Sequence, residues 1–251
     1  MFVDTHCHIS KEDYSDVASL IKSIDDAGVK KIIANGVDKS SNEEVLELIK
    51  KEPMVYGAIG FHPTELEKVT ESDFEWLEQH VSDDKIVAIG EIGLDYHYDN
   101  TDKERQQWAF RRQLEIAQRK NIPVIIHSRD AIGDTYDILS EYSTIGSIHC
   151  FSGSLDMALA FIKLGYLLGI GGVVTYKNAK NIVNVINNIS LEYILLETDA
   201  PYLTPESKRG EMNSPSNIPL IAKKIAEIKR IDVEEVEKTT GENAERLFDK
   251  L

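Results

Sequence analysis

The stretch Val3-Asp4-Thr5-His6-Cys7-His8 ends the first apolar run of the chain and places two histidines two positions apart. Side chains at that spacing on a β-strand point to the same side, so both imidazoles can reach one point in space. A doubly wound open sheet usually has a glycine-rich turn after its first strand, whereas this chain has histidines there. The stretch therefore favours a barrel, whose functional side chains gather at the carboxyl ends of its strands.

Apolar runs recur along the whole chain at a spacing typical of alternating strands and helices. We predict strands at residues 2–5, 31–34, 55–59, 86–89, 123–126, 147–148, 166–170 and 193–196. The 251 residues divided among eight units give about 31 residues each, enough for a strand, a helix and two loops. The sequence thus predicts an α/β protein with one (β/α)8 TIM barrel as a single domain over residues 1–251.

Apolar residues at three-and-four spacing predict helices between these strands. The clearest predicted helix covers residues 104–120, and two others cover residues 17–27 and 43–50. Residues 217–230 are expected to form the last barrel helix, and residues 233–251 a helical extension after it.

Four later apolar runs also lead into a side chain that can bind a metal ion. With the two histidines of the first stretch they make six candidate ligands: His6, His8, Glu91, His127, His149 and Asp199. Taken singly, each acid could be a solvated loop residue and each histidine a core residue. A barrel, however, would place all six at the same rim, which favours a shared metal site. Mixed imidazole and carboxylate ligands suit Zn²⁺, Mn²⁺, Co²⁺ and Ni²⁺, and Mg²⁺ can substitute in use.

Composition limits the remaining function classes. No apolar stretch reaches the roughly 20 residues of a membrane span, and no secretory signal is recognisable, so we expect a cytoplasmic protein that does not engage membranes. The net charge of −15 argues against a broad basic surface for long nucleic acids. A nucleic-acid substrate would have to be held locally, by metal ions and a few basic groups. Cys7 and Cys150 are expected to pack as small apolar residues between helices and sheet, rather than in a disulfide.

Several further residues near the predicted rim carry expectations of their own. Asp4 shares a strand face with the first histidines and is expected to fix an imidazole tautomer. Glu197 should lie one layer deeper than the rim, paired with a ligand imidazole or a threonine hydroxyl. His62 follows the third strand, where it could bind a phosphate or protonate a leaving group. His80 is expected to be solvated, and His97 to have an incidental loop role.

These residues lie in motifs that resemble the TatD family of metal-dependent deoxyribonuclease-like hydrolases, within the amidohydrolase-like barrels. The resemblance covers nearly the whole chain. It is carried by Val3-Asp4-Thr5-His6-Cys7-His8, Gly60-Phe61-His62-Pro63, Gly90-Glu91-Ile92-Gly93-Leu94-Asp95-Tyr96, Ile126-His127-Ser128-Arg129, His149-Cys150-Phe151-Ser152-Gly153 and Glu197-Thr198-Asp199-Ala200-Pro201-Tyr202-Leu203.

The resemblance implies that the six candidate ligands bind two divalent ions and that His62 helps with substrate. His97 departs from the family pattern, which often has another aromatic residue at that position. Many two-metal relatives among the amidohydrolase-like barrels bridge their ions with a carboxylated lysine at the fourth strand. Here Glu91 stands at that place, and no lysine lies between Lys85 and Lys103.

The hypothesis that follows is hydrolysis of a phosphoester bond by a water that two metal ions activate. His6, His8, Glu91 and Asp199 would hold one ion, and Glu91, His127 and His149 the other. Asp199 would accept the proton of the water. His62 and Arg129 would orient a non-bridging phosphate oxygen.

The natural substrate stays open at this point between DNA, cut in the manner of a 3′–5′ exonuclease, RNA and a small phosphoester. A C–N or lactone hydrolase of the amidohydrolase type is an alternative reaction. A non-catalytic metal-binding protein is an alternative of another class. No obligate protein partner is evident from the sequence.

Overall fold

Eight parallel strands form one sheet in the order of the chain, which confirms the predicted (β/α)8 barrel. The structure is a computed structural model that describes residues 1–10 and 12–251. The strands are β1 (Phe2–Cys7), β2 (Val29–Asn35), β3 (Val55–Ile59), β4 (Ile86–Asp95), β5 (Val124–Arg129), β6 (Gly146–Ile148), β7 (Tyr166–Ile170) and β8 (Ile194–Leu196).

Helices alternate with these strands and cover the outside of the sheet. They are α1 (Val17–Asp26), α2 (Lys39–Lys51), α3 (Glu71–His80), α4 (Lys103–Lys120), α5 (Ile132–Leu139), α6 (Leu155–Lys163), α7 (Lys180–Asn188), α8 (Ile218–Lys229) and α9 (Val233–Leu247). Helix α2 begins four residues before the predicted start because Asp38 caps it, accepting a hydrogen bond from the Ser41 backbone N–H. Within the described residues, no helix is both long and apolar enough to cross a bilayer.

Three strands end two or more residues later than predicted, and the difference decides where the candidate ligands lie. The expected ends of β1, β4 and β5 at residues 5, 89 and 126 were wrong, since these strands continue to Cys7, Asp95 and Arg129. Gly93 makes the longer β4 possible: its φ is +142°, and a Cβ there would lie 2.0 Å from the His127 carbonyl oxygen. Glu91 therefore lies inside a strand, not after one.

Side chains as well as backbone close the seam between β1 and β8. The Asp199 N–H donates to the His6 carbonyl, and the Thr5 hydroxyl donates to the Leu196 carbonyl. The buried Asp4 carboxylate accepts hydrogen bonds from the His6 N–H and from both the N–H and the hydroxyl of Thr198. Burial raises the pKa of Asp4 to about 8, against the lowering effect of these hydrogen bonds.

The role expected of Asp4 was therefore wrong. Its oxygens face the backbone of the seam and the Thr198 hydroxyl, and its partners include no imidazole among the described residues. The reason is strand pleating: Asp4 shares a face with His6, but it lies one layer deeper in the barrel, where β8 is the nearest neighbour.

Replacing Asp4 by Ala should destabilise the protein by about 2–4 kcal/mol, because the substitution leaves several buried donors without an acceptor. Asp4→Asn keeps one acceptor oxygen and should cost clearly less. Urea unfolding of both variants in the presence of a chelator measures the difference without any metal contribution. Equal stability of the Ala variant and the unmodified protein would show that the seam does not depend on this carboxylate.

Candidate metal centre

The carboxyl ends of five strands bring all six candidate ligands together. His6 lies near the end of β1 and His8 just after it, and Glu91 lies inside β4. The other three follow the same rule at β5, β6 and β8: His127, His149 and Asp199. His6, Glu91 and His149 are almost completely buried, with 0%, 3% and 5% of their surface exposed.

Two carboxylate oxygens each lie close to the ring nitrogens of both His6 and His8. His6 Nε2 and His8 Nε2 lie 3.2 Å apart. Glu91 Oε2 lies 3.4 Å from the first nitrogen and 3.5 Å from the second, and Asp199 Oδ1 lies 3.6 Å from both. Nitrogen and oxygen ligands about 2.0–2.1 Å from a tetrahedral Zn²⁺ lie about 3.3–3.4 Å from one another. The spacing of these atoms therefore fits a divalent cation.

The second oxygen of Glu91 faces a different group of imidazoles. Glu91 Oε1 lies 2.7 Å from His127 Nδ1 and 3.9 Å from His149 Nε2. His149 Nε2 also lies 3.6 Å from Asp199 Oδ1. Glu91 thus presents one oxygen to each of two neighbouring donor groups, as a bridging carboxylate would. The contacts bring all six side chains together, but His149 lies between the two predicted sets, since it is closer to Asp199 than to Glu91.

Two further carboxylates hold the ligand imidazoles from behind. Glu197 is buried beside His149, with Oε1 3.0 Å from the ring Nδ1, and it also accepts a hydrogen bond from the Cys150 N–H. Asp95 Oδ2 lies 3.1 Å from His127 Nε2. Carboxylates in this position orient a ligand imidazole and raise its basicity. Glu197 was expected to pair with a ligand imidazole or a threonine hydroxyl, and the structure gives the imidazole of His149. The contact of Asp95 was not predicted.

Electrostatics of the centre follow from burial and from these contacts. Burial alone would lower the pKa of His149, but Glu197, Asp199 and Glu91 raise it to about 10. Burial also lowers the pKa of His127, but its hydrogen bonds with Asp95 and Glu91 outweigh this effect and raise the pKa to about 9. In the metal-free protein these imidazoles hold protons that offset the carboxylates, and a cation can take the place of those protons.

The carboxylates of the centre are ionised. Burial would raise the pKa of Glu91, but the imidazoles of His6, His62 and His127 hold it well below the ordinary value. The pKa of Asp199 is likewise lowered, because the nearby imidazoles outweigh the effect of its burial. Ionised carboxylates beside imidazoles are a donor set that binds a divalent cation readily.

The two residues predicted to act on substrate lie at different depths. His62 Nε2 lies 3.7 Å from Glu91 Oε1, its ring packs edge-on against His127, and burial lowers its pKa to about 4. Arg129 is exposed at the end of β5, with its guanidinium 5.9 Å from the centre of the Tyr98 ring. His62 therefore adjoins the centre itself, whereas Arg129 reaches it only from the rim.

The two cysteines differ from each other. Cys7 is fully buried in the helix–sheet layer and donates to the Ile33 carbonyl, as predicted. The same prediction was wrong for Cys150, which is half-buried in the wall of a cavity beside the centre. The strand alternation used for the prediction ends at β6, and Cys150 has a φ of +45° in the turn that follows.

The two outlying histidines do not take part in the centre. His97 lies on the surface, with Nδ1 3.0 Å from an oxygen of the exposed Asp130. His80 is half-buried rather than solvated: its ring stacks on Trp76, and Nδ1 lies 2.7 Å from the Trp76 carbonyl oxygen.

Three buried side-chain amides brace the loops around the centre. Asn42 of α2 exchanges two hydrogen bonds with the backbone of Gly60, and Gln113 of α4 does the same with Phe61. Gln106, which lies seven residues earlier on α4, accepts a hydrogen bond from the Asp95 N–H and donates one to the Asp95 carbonyl. Each amide pairs with one backbone N–H and one backbone C=O, as a neighbouring strand would. The helices therefore fix the backbone that carries His62 and Asp95.

Metal-dependent hydrolases of the barrel type have such a cluster of imidazoles and carboxylates at the carboxyl ends of their strands. Comparison with known proteins places the chain in the same class. The pattern of the family described as TatD related DNase matches residues 3–249. The chain is 40% identical over 252 residues to the "uncharacterized metal-dependent hydrolase YabD" of Bacillus subtilis, covering 99% of both chains. The chain belongs to the TatD family and is a metal-dependent hydrolase.

Solved structures give the same picture. The crystal structure of YjjV, a TatD homolog from Escherichia coli, superimposes with a TM-score of 0.93 at 35% identity, covering 99% of this chain and 98% of that one. An uncharacterized amidohydrolase from Saccharomyces cerevisiae has a TM-score of 0.85 at 19% identity, covering 98% and 99% of the two chains. The second likeness concerns the fold alone.

Glu197→Gln should weaken metal binding by about 10- to 100-fold, because the ring of His149 loses its charged partner. Gly169→Ala should have a similar effect, since a Cβ there would lie 2.1 Å from Glu197 Oε2 and push the carboxylate away. Competition with a coloured chelator measures the affinity, and circular dichroism checks folding. Asp130→Asn on the surface is the matched control. Unchanged metal affinity in both folded variants would contradict a supporting role for Glu197.

Proposed function

We propose that this hydrolase cleaves phosphoester bonds, most specifically phosphodiester bonds of DNA, with two divalent ions at the centre. The observation that carries the proposal is the position of the Glu91 carboxylate, whose two oxygens face two adjacent groups of possible ligands. Two-metal centres of this kind are common among enzymes that hydrolyse phosphoesters. The family description, TatD related DNase, supports DNA as the substrate.

The chain offers a separate donor set for each ion. His6, His8, Glu91 and Asp199 would hold the first, and Glu91, His127 and His149 the second. The metals supply Lewis acidity, which makes water nucleophilic near neutral pH and offsets charge on the oxygens of a phosphoester. The elements Zn, Mn, Co, Ni and Mg all suit such ligands to different degrees.

Three side chains would handle the proton and the substrate. Asp199 faces both donor groups through one oxygen, so it is placed to accept the proton of the attacking water. His62 lies beside the second group and would orient a phosphate oxygen. Arg129 stands at the rim, where its guanidinium would pair with a second oxygen of the same phosphate.

Metal analysis followed by substrate assays tests the proposal directly. Elemental analysis of the purified protein should find up to two divalent ions per chain, and removing them with a chelator should abolish activity. Single-stranded DNA, double-stranded DNA, RNA, an amide and a lactone are then compared after each metal is restored. We expect DNA hydrolysis to return. Amide or lactone turnover without phosphodiester cleavage would overturn the proposal in favour of C–N or lactone hydrolysis.

Asp199→Asn separates an enzyme from a metal-binding protein without turnover. With saturating metal, the variant should lose at least about 100-fold in kcat on DNA, because Asn cannot accept the proton. Single-turnover assays and metal analysis of the same sample show whether the ions remain. Asp156→Asn on the exposed first turn of α6 is the control. A variant that keeps its metal and full activity would remove Asp199 from its proposed role.

A further inference from the structure

A cavity of about 520 Å³ opens from one side of the metal centre, between the ends of β5 to β8. His127, His149 and Asp199 form the border that the cavity shares with the centre. Its volume lies within the range of small-molecule sites in proteins. A substrate whose reacting bond lies at the centre would therefore place one of its groups in this cavity.

The walls of the cavity are mainly apolar. Ile170, Val173, Val174 and Ile182 form the floor and one side, from the end of β7 to the start of α7. Tyr202, which is 60% exposed, lines this cavity and also the second cavity described below. A flat group placed here would pack on aliphatic side chains and meet an aromatic ring, which is the environment that favours stacking.

Polar side chains line the cavity as well, among them Arg129 and Asn181. The Ser152 hydroxyl and the Asn178 amide line the cavity, and neither makes a side-chain hydrogen bond within the part of the chain that the structure describes. A ligand with an apolar face and hydrogen-bonding atoms along its edge would satisfy both kinds of surface. Nucleobases have this combination, and the sugar phosphates attached to them do not.

Another side of the centre differs in charge, although apolar side chains line it too. A second cavity of about 590 Å³ there is lined by carboxylates outside the metal centre, among them Asp13, Glu44 and Glu65. A nucleobase gains little from carboxylates, because acidic walls hold water that would have to be removed. The two sides of the centre are therefore unequal, and the apolar one suits the base.

We propose that the apolar cavity binds the nucleobase of the nucleotide whose phosphoester is cleaved, with Val173 and Ala179 as walls that determine specificity. The inference rests on the proposed phosphoester hydrolysis and adds where the base of such a substrate lies and which residues contact it. The base reaches the cavity when it is unpaired, since a base that stays paired and stacked within a duplex cannot turn into a cavity.

Binding by the metal-loaded protein tests the inference without turnover. Calorimetry should show thymidine 5′-monophosphate binding at least about 10-fold more tightly than deoxyribose 5-phosphate, since stacking of a base contributes at that scale. Val173→Asp, which puts a charge into the wall, should abolish the difference. Ala179→Phe should do the same by filling the space without adding a charge. Glu44→Gln in the second cavity is the matched control and should keep the full difference.

Hydrolysis gives a second, independent readout. Single-stranded oligonucleotides that end in a normal nucleotide or in an abasic unit are compared by kcat/KM. The normal end should be preferred about 10-fold or more by the unmodified protein and by Glu44→Gln, but not by the two cavity variants. Equal binding of the two monophosphates, or a preference that survives in both folded cavity variants, would overturn the inference.

The outcomes also separate this inference from the proposed function. Equal cleavage of the normal and abasic ends would leave phosphodiester hydrolysis standing and overturn only the base-binding cavity. Base-dependent binding that the cavity variants abolish, without cleavage of any phosphodiester, would support the cavity and remove the proposed reaction.

Discussion

The carboxylate of Glu91 is the contact on which the whole centre depends. It is almost completely buried, and its two oxygens face two groups of imidazoles rather than solvent. A buried carboxylate is costly unless opposite charge surrounds it. Protonated imidazoles supply that charge in the metal-free protein, and cations supply it when they bind. The barrel therefore stores, at one rim, an electrostatic arrangement that favours taking up divalent ions.

The groups that orient the candidate ligands depend in turn on the packing of the barrel. Glu197 can approach His149 only because Gly169 leaves the space free. Asp95 can reach His127 only because β4 continues beside β5 to its end. His8 is held differently, by the carbonyl of Asn35. The positions of the ligands thus follow from strand length and from small residues in the layer beneath, as well as from their own strands.

Sequence alone was sufficient for the strand pattern and for the clustering of the six candidate ligands, because each signal is local: an apolar run followed by a residue that can bind a metal ion. The contact of Asp95 and the role of Asp4 could not be predicted, because both depend on contacts between strands that are not encoded locally. Whether Asp95 meets an imidazole depends on where β4 ends, and the glycine that extends it, Gly93, reads in sequence as a turn. Cys150 was misplaced because alternation along a strand has no meaning once φ becomes positive.

Charge and shape together define how such a site can select its substrate. With a net charge of −15, the protein repels polyanions at long range, so attraction must arise within a few ångströms of the centre. In the proposed function, bound cations and Arg129 would act there on a phosphate, but they would not tell one phosphoester from another. Discrimination then falls to whatever the neighbouring walls contact. Carboxylates outside the centre line one of its two cavities and not the other, so the proposed arrangement has a direction: the uncharged part of a substrate would face β7 and β8, and the acidic side would be left to water.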